Sequence, residues 1–197
     1  MPNWCFSQVV IEGNHQEVKT LHDIMDNLSK MKEPLIANGF GTTWLGCLVN
    51  AIGKDCNKVY CRGSWSDLQM EVNGDVGILK FSTETAWSPM LEVFQAICDT
   101  HKSMSYFFLS EESGMGEYYT NDINKKYFRE RYIADICTPQ EEYETEYFET
   151  LEDTLAYLQE NENIELKTLN DVELLEQHWQ DINPDSYCSV HEFQLIN

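Results

Sequence analysis

The most distinctive residues of the chain are closely spaced carboxylates between residues 141 and 153. The set consists of seven acids: Glu141, Glu142, Glu144, Glu146, Glu149, Glu152 and Asp153. On a strand, Glu142, Glu144 and Glu146 would line one face at intervals of about 6.6 Å, because each residue rises about 3.3 Å. That interval is comparable to the spacing of phosphates along an extended nucleic-acid strand. The set therefore predicts an acidic surface that imitates a nucleic acid.

The residues between these acids are expected to fill the core. Tyr143, Thr145 and Tyr147 would point to the opposite face of the same strand, because side chains alternate along a strand. The acids at positions 149–153 continue the negative surface into the start of the next helix, where the helix dipole tolerates them. Like charges at this spacing repel each other, so a basic partner that neutralises them would be favoured.

Residues for other chemistries are present, but their spacing does not favour catalysis. Cys188 and His191 are candidate metal ligands, as are Cys56 and Cys61, although an alternating strand would place Cys188 and His191 on opposite faces. There is no G-x-S-x-G sequence, and the glycines at 39–46 match neither a dinucleotide-binding loop nor a P-loop. The sequence therefore predicts a protein that is not an enzyme and that has no metal site and no cofactor.

The charge of the chain disfavours two classes of partner. The 197 residues include 34 Asp and Glu against 13 Lys and Arg, a net charge of −21. Residues 111–197 hold 22 acids and 5 basic residues, and no Lys or Arg occurs from Tyr132 to Leu166. Nucleic acids and anionic membranes are bound through clustered Lys and Arg, so we expect the chain to bind neither directly. Hydrophobic residues make up 42% of the chain, which predicts a folded protein.

Three features predict a cytoplasmic location. The seven Cys are odd in number and scattered, a pattern more typical of reduced thiols than of a disulfide framework. The segment Met1–Cys5 has no basic residue and leads into no long apolar stretch, so a secretion signal is not expected. No run approaches the roughly 20 apolar residues of a membrane span.

The first half of the chain predicts an α+β fold. The expected elements are a strand at 4–12, a helix at 17–31, strands at 64–72 and 76–83, a helix from Ser88-Pro89 to about 101, and a strand at 104–110. The segment 44–49 is either a short helix or a packed loop. This order, β-α-loop-β-β-α-β, is that of a ferredoxin-like sandwich, an antiparallel sheet with two helices on one face.

The second half predicts an acidic α+β extension. The expected elements are strands at 118–120, 126–136, 142–148 and 187–195 and helices at 150–159 and 170–179. Thr150 and Asn170 are the expected caps of the two helices. We expect a ferredoxin-like domain at residues 1–120 and an acidic extension at 121–197 that packs on it.

Several motifs of the first half together resemble a known family. They are Met1-Pro2-Asn3-Trp4-Cys5 with a strand ending in Glu12-Gly13, the run Arg62-Gly63-Ser64-Trp65, the run from Phe81 to Pro89, and Tyr106 to Glu112 followed by Gly114 and Gly116. Over about residues 1–120 the chain resembles phage- and plasmid-encoded proteins with a YubB-type ferredoxin-like domain. The resemblance implies the fold and an origin on a mobile element, and it transfers no catalytic residues.

The acidity and the resemblance lead to one main hypothesis and one alternative. The main hypothesis is a non-enzymatic inhibitor in the cytoplasm of a host bacterium, which presents its acidic surface to a defence nuclease such as a CRISPR effector or a restriction enzyme. The partner would be a host protein with a basic nucleic-acid-binding groove. The alternative is an accessory protein-interaction module that binds through the exposed sheet of the first half. In that case the acids would only keep the protein soluble.

Overall fold

The chain folds into two units in a computed structural model that describes residues 3–160 and 164–196. The first unit is Met1–Asp122 and the second is Ile123–Asn197, and the boundary expected from the sequence lies between residues 120 and 121. Both units contain strands and helices, so the α+β class is confirmed.

The first unit contains three helices and five strands among its described residues. In chain order they are β1 (Trp4–Asn14), α1 (His15–Ser29), α2 (Leu45–Ala51), β2 (Gly63–Asn73), β3 (Val76–Ala86), α3 (Leu91–Cys98), β4 (Ser105–Glu112) and β5 (Glu117–Thr120). The strands lie in the order β2-β3-β1-β4-β5, and neighbouring strands are antiparallel. The segment 44–49, for which a helix or a loop was expected, is largely helical, because α2 begins at Leu45. The predicted sandwich has one strand and one helix fewer than this unit.

The first strand shows which face of the sheet the helices cover, although Val10 on the opposite face is also buried. Cys5, Ser7, Val9 and Ile11 are buried, while Phe6 is 58% exposed. Successive side chains of a strand point to opposite faces. The odd-numbered residues of β1 therefore form the face on which the helices pack, and helix α1 contacts β1, β2 and β3.

Helix α1 begins where a side chain replaces the missing backbone partner. The Asn14 side chain accepts a hydrogen bond from the Gln16 backbone N–H at 3.0 Å, as an N-cap residue does. Apolar residues at intervals of three and four then place one stripe of the helix against the sheet. The buried residues of this stripe are Val18, Leu21, Met25 and Leu28.

The second unit is built around a three-stranded sheet. Its elements are β6 (Tyr132–Cys137), β7 (Tyr143–Phe148), α4 (Leu151–Gln159), α5 (Leu169–Ile182), β8 (Tyr187–Glu192) and β9 (Gln194–Leu195). The sheet has the order β7-β6-β8, with both pairs antiparallel. One face of this sheet and the two helices share a core of nine buried residues: Ala134, Ile136, Leu155, Leu158, Leu166, Val172, Leu175, Trp179 and Cys188.

Two local predictions for the second unit are wrong. Helix α5 is capped by Thr168 and not by Asn170, because the Asp171 carboxylate accepts a hydrogen bond from the Thr168 N–H at 2.8 Å and completes a capping box. Residues 126–131 are not part of strand β6. There, the Arg131 guanidinium donates to the backbone carbonyl of Phe128 at 2.9 Å and stabilises a loop.

Two neighbouring leucines of α5 test the position of this core. Leu175 is fully buried and Leu174 is 56% exposed. We expect Leu175→Ala to lower the free energy of unfolding by about 2–5 kcal/mol, because it removes buried methyl groups and leaves a cavity. The matched variant Leu174→Ala should change it by no more than about 0.5 kcal/mol. Urea unfolding measures both values, and equal losses would contradict this placement of the helix.

Candidate functional site

The acidic run lies on a strand at the edge of its sheet. In the described part of the second unit, β7 pairs with β6 alone and stands at one end of the order β7-β6-β8. Residues 143–147 are all exposed, and only Phe148 is partly buried against the core. The position of the strand therefore gives solvent access to the side chains on both of its faces.

The acids point to the face opposite to the one expected. Glu144 pairs with Ile136 and Glu146 pairs with Ala134 across the β6–β7 ladder. Directly paired residues share a face, and both β6 partners lie in the core under the helices. The two glutamates therefore lie on the same face of the sheet as the core, but at its edge, where they are exposed to solvent.

The expected burial of the alternate residues is therefore wrong. Tyr143 is 70% exposed and Tyr147 is 40% exposed, while the Thr145 hydroxyl donates to Asp135 Oδ1 at 3.1 Å. Phe148 explains the difference, because it shares a face with the glutamates and is the residue of β7 that reaches the core. Its single aromatic ring, and not the tyrosine periodicity, decides which face of the strand is turned inward.

A groove between β7 and α4 is lined by acids. Its volume is about 380 Å³, and its walls include Glu142, Glu144, Glu160, Tyr157 and Trp179. The Tyr157 hydroxyl donates a hydrogen bond to Glu144 Oε2. Burial, followed by this bond to a carboxylate, raises the pKa of Tyr157 above the usual value of 10.0. Glu144 is thus held against the helix.

Two of the three predicted acids that follow the strand, Glu149 and Asp153, have partners within the second unit. The Glu149 carboxylate lies 3.5 Å from the Arg129 guanidinium and 3.9 Å from the Lys125 ammonium. Asp153 Oδ2 accepts a hydrogen bond from the Thr150 hydroxyl at 2.6 Å, within the cap of α4. These two cation partners were not predicted from the sequence, because a count along residues 132–166 does not show which basic residues lie nearby in space.

Four of the seven predicted acids have, among the described residues, neither a basic partner nor a hydrogen bond to their carboxylate, unlike Glu144, Glu149 and Asp153. Among residues 3–160 and 164–196, no Lys or Arg forms an ion pair with these exposed carboxylates, which we name the acidic edge: Glu141, Glu142, Glu146 and Glu152. Glu141 lies in the turn between β6 and β7 with φ of 65°, and its N–H donates to the Thr138 carbonyl. The acidic edge therefore carries uncompensated negative charge.

The described residues contain no group of three His, Cys, Asp or Glu that could hold a metal ion. In the β6–β8 ladder, Cys188 pairs with Ile136 and His191 pairs with Ile133, so the two side chains point to opposite faces, as expected from the alternation. The His191 Nε2 lies 2.7 Å from the Ser189 hydroxyl, and burial lowers the pKa of this histidine.

Comparison with known proteins gives no relative. The chain matches no protein-family model, no curated protein and no solved structure. Across the described residues, none of the helices has the length and apolar character that a membrane crossing requires.

The Tyr157 hydroxyl gives the second unit a testable dependence on pH. Its pKa is raised in the folded protein, so the folded state holds this proton when the unfolded chain has lost it. The contribution to stability is complete below about pH 10 and is lost as pH rises further. We expect Tyr157→Phe to lose less unfolding free energy than the wild type over this alkaline range.

Urea unfolding at a series of alkaline pH values measures this difference. Because the other tyrosines titrate in both proteins, their effects cancel in the comparison. Parallel pH profiles for the wild type and the variant would show that Tyr157 is not held by Glu144.

Proposed function

We propose that the protein is a non-enzymatic inhibitor that presents the acidic edge to the nucleic-acid-binding groove of a host defence nuclease, a CRISPR effector or a restriction enzyme. The observation that carries the proposal is a set of exposed carboxylates that no basic side chain of the described chain neutralises. A groove lined with Lys and Arg would neutralise them on binding. Attraction between the two surfaces would also accelerate association.

Solubility is the competing explanation for these charges. An edge strand exposes backbone groups that can pair with another chain, and charged side chains prevent such pairing. One or two charges are a common solution to that problem. Strand β7 carries Glu144 and Glu146 and is preceded by Glu141 and Glu142, so its negative charge exceeds what protection of an edge requires.

The architecture of the first unit supports the wider proposal. Its strands β2-β3-β1-β4 have the order and the antiparallel pairing of a ferredoxin-like sandwich, and we describe β5 and α2 as additions to that fold. The resemblance of residues 1–120 to phage- and plasmid-encoded proteins supports an origin on a mobile element. Such an element benefits from an inhibitor of host nucleases.

Charge reversal separates mimicry from edge protection, because Lys also protects an edge strand. We expect the triple variant Glu142→Lys, Glu146→Lys and Glu152→Lys to remain folded and to lose inhibition of DNA cleavage. The concentration for half-inhibition should rise more than about 100-fold, because close charge pairs at interfaces couple by about 1.5 kcal/mol or more each. The assay uses a guide-loaded CRISPR effector and a restriction endonuclease, each with duplex DNA.

A matched variant controls for the change in net charge. Glu173→Lys, Asp181→Lys and Asp185→Lys alter three exposed acids of the same unit that lie outside the acidic edge. This control should inhibit as well as the wild type. Equal inhibition by both triple variants would exclude the acidic edge as the binding surface.

A specific observation favours the alternative, an interaction through the exposed sheet of the first unit. Phe6 is 58% exposed and Trp4 is 37% exposed on the face of β1 that the helices leave uncovered. Exposed aromatic rings are frequent anchors of protein interfaces. The alternative would make this face the binding surface and the acidic edge a solubilising feature.

The variant Phe6→Ala tests the alternative in the full-length chain. If the acidic edge is the interface, this variant should inhibit DNA cleavage within about twofold of the wild type, because a side chain outside an interface contributes little to binding. Loss of inhibition in Phe6→Ala, together with normal inhibition by the triple variant at positions 142, 146 and 152, would establish the sheet as the interface.

A further inference from the structure

A cavity in the first unit combines aromatic walls with positive charge. Its volume is about 450 Å³, within the range of about 300–1,000 Å³ that is typical of small-molecule sites. Three rings line it, those of Phe40, Trp44 and Tyr60, together with the basic side chains of Lys58 and Arg62. The cavity lies wholly within Met1–Asp122 and shares no residue with the acidic edge.

The Trp44 indole supplies a hydrogen-bond donor without an acceptor. Its Nε1 atom is buried and has no hydrogen-bond partner in the described structure. A buried donor without a partner is unfavourable, and this one belongs to a ring that lines the cavity. The ring lies over Gly46, where an added Cβ would come within 2.4 Å of it, so the close packing fixes the position of the indole.

The other walls of the cavity are also held by contacts within the unit. Phe40 makes an edge-to-face contact with Trp4, with ring centroids 6.5 Å apart. The Tyr60 backbone N–H donates to Glu92 Oε2 at 2.9 Å, which fixes the segment that carries Tyr60 to helix α3. The Arg62 carbonyl accepts from the Ala86 N–H at 3.0 Å. The site is therefore formed before any ligand binds.

The two cations are available to a ligand. Arg62 is exposed, and it forms no ion pair with any described carboxylate. Lys58 is 3.8 Å from Asp55, with 82% of its side chain exposed, so the pair is weak. The one carboxylate that lines the cavity, Glu92, accepts the Tyr60 N–H. An anion at this position would meet two positive groups in a chain of net charge −21.

We propose that this cavity binds a nucleoside monophosphate. An aromatic base would stack against the rings of Phe40, Trp44 and Tyr60, because every base presents a π-face to an aromatic wall. The phosphate would be bound by Arg62, whose planar guanidinium can donate two hydrogen bonds to phosphate oxygens, and by Lys58. A long nucleic-acid strand would be repelled by the rest of the chain, whereas a mononucleotide carries a single phosphate group to this site.

Titration of the purified full-length protein with AMP, GMP, CMP and UMP tests the proposal. Isothermal calorimetry should show saturable binding of at least one nucleotide. The corresponding nucleoside lacks the anion and inorganic phosphate lacks the ring, so each should bind at least about tenfold more weakly than the nucleotide. Absence of binding by all four nucleotides at millimolar concentration would overturn the proposal.

Variants locate the site within the first unit. We expect Arg62→Gln to weaken nucleotide binding about tenfold, because it removes a charge-assisted hydrogen bond to phosphate. The matched variant Lys102→Gln removes an exposed cation of the same unit that does not line the cavity, and it should bind like the wild type. Equal affinities for Arg62→Gln and Lys102→Gln would refute this placement of the phosphate.

Discussion

The core of the second unit accepts an apolar side chain from one position of β7. Phe148 packs against it, whereas residues 143–147 are exposed. An apolar face in this place would be a template for pairing with other chains. The acids on β7 are compatible with folding, because they take the place of no buried apolar side chain. The same geometry leaves them accessible to a partner.

The acids differ in how much of their charge remains available. Glu149 pairs with Arg129, Asp153 belongs to the cap of α4, and Glu144 accepts the Tyr157 hydroxyl. The four members of the acidic edge have no such partner among the described residues. Solubility alone would be served by acids spread evenly over the surface. Here some acids are bonded within the fold and others are unpaired, and the unpaired group is the feature that suggests binding of a basic partner. The first unit shows the opposite arrangement, with Arg62 beside aromatic rings in a cavity.

The sequence was sufficient to predict the type and approximate position of most elements, because their apolar periodicities are regular. The helix at α1 and the hairpin of β2 and β3 follow directly from such patterns. Predictions failed where a single contact outweighed the local pattern. Phe148 determined the orientation of β7 against the tyrosine alternation, and Asp171 made Thr168 the cap of α5. The cation partners of Glu149 and the cavity at Trp44 depend on residues distant in the chain, which spacing alone does not bring together.

The exposed carboxylates of the acidic edge repel one another as long as no basic partner is bound. The most direct test is the urea unfolding free energy of the wild type and of the variant with Lys at positions 142, 146 and 152, each measured at low and at high NaCl. Salt screens repulsion between exposed charges. The wild type should therefore gain more stability from salt than the variant, and the variant should be at least as stable as the wild type at low salt. A variant that is less stable at low salt by more than about 1 kcal/mol would show that these acids serve the fold.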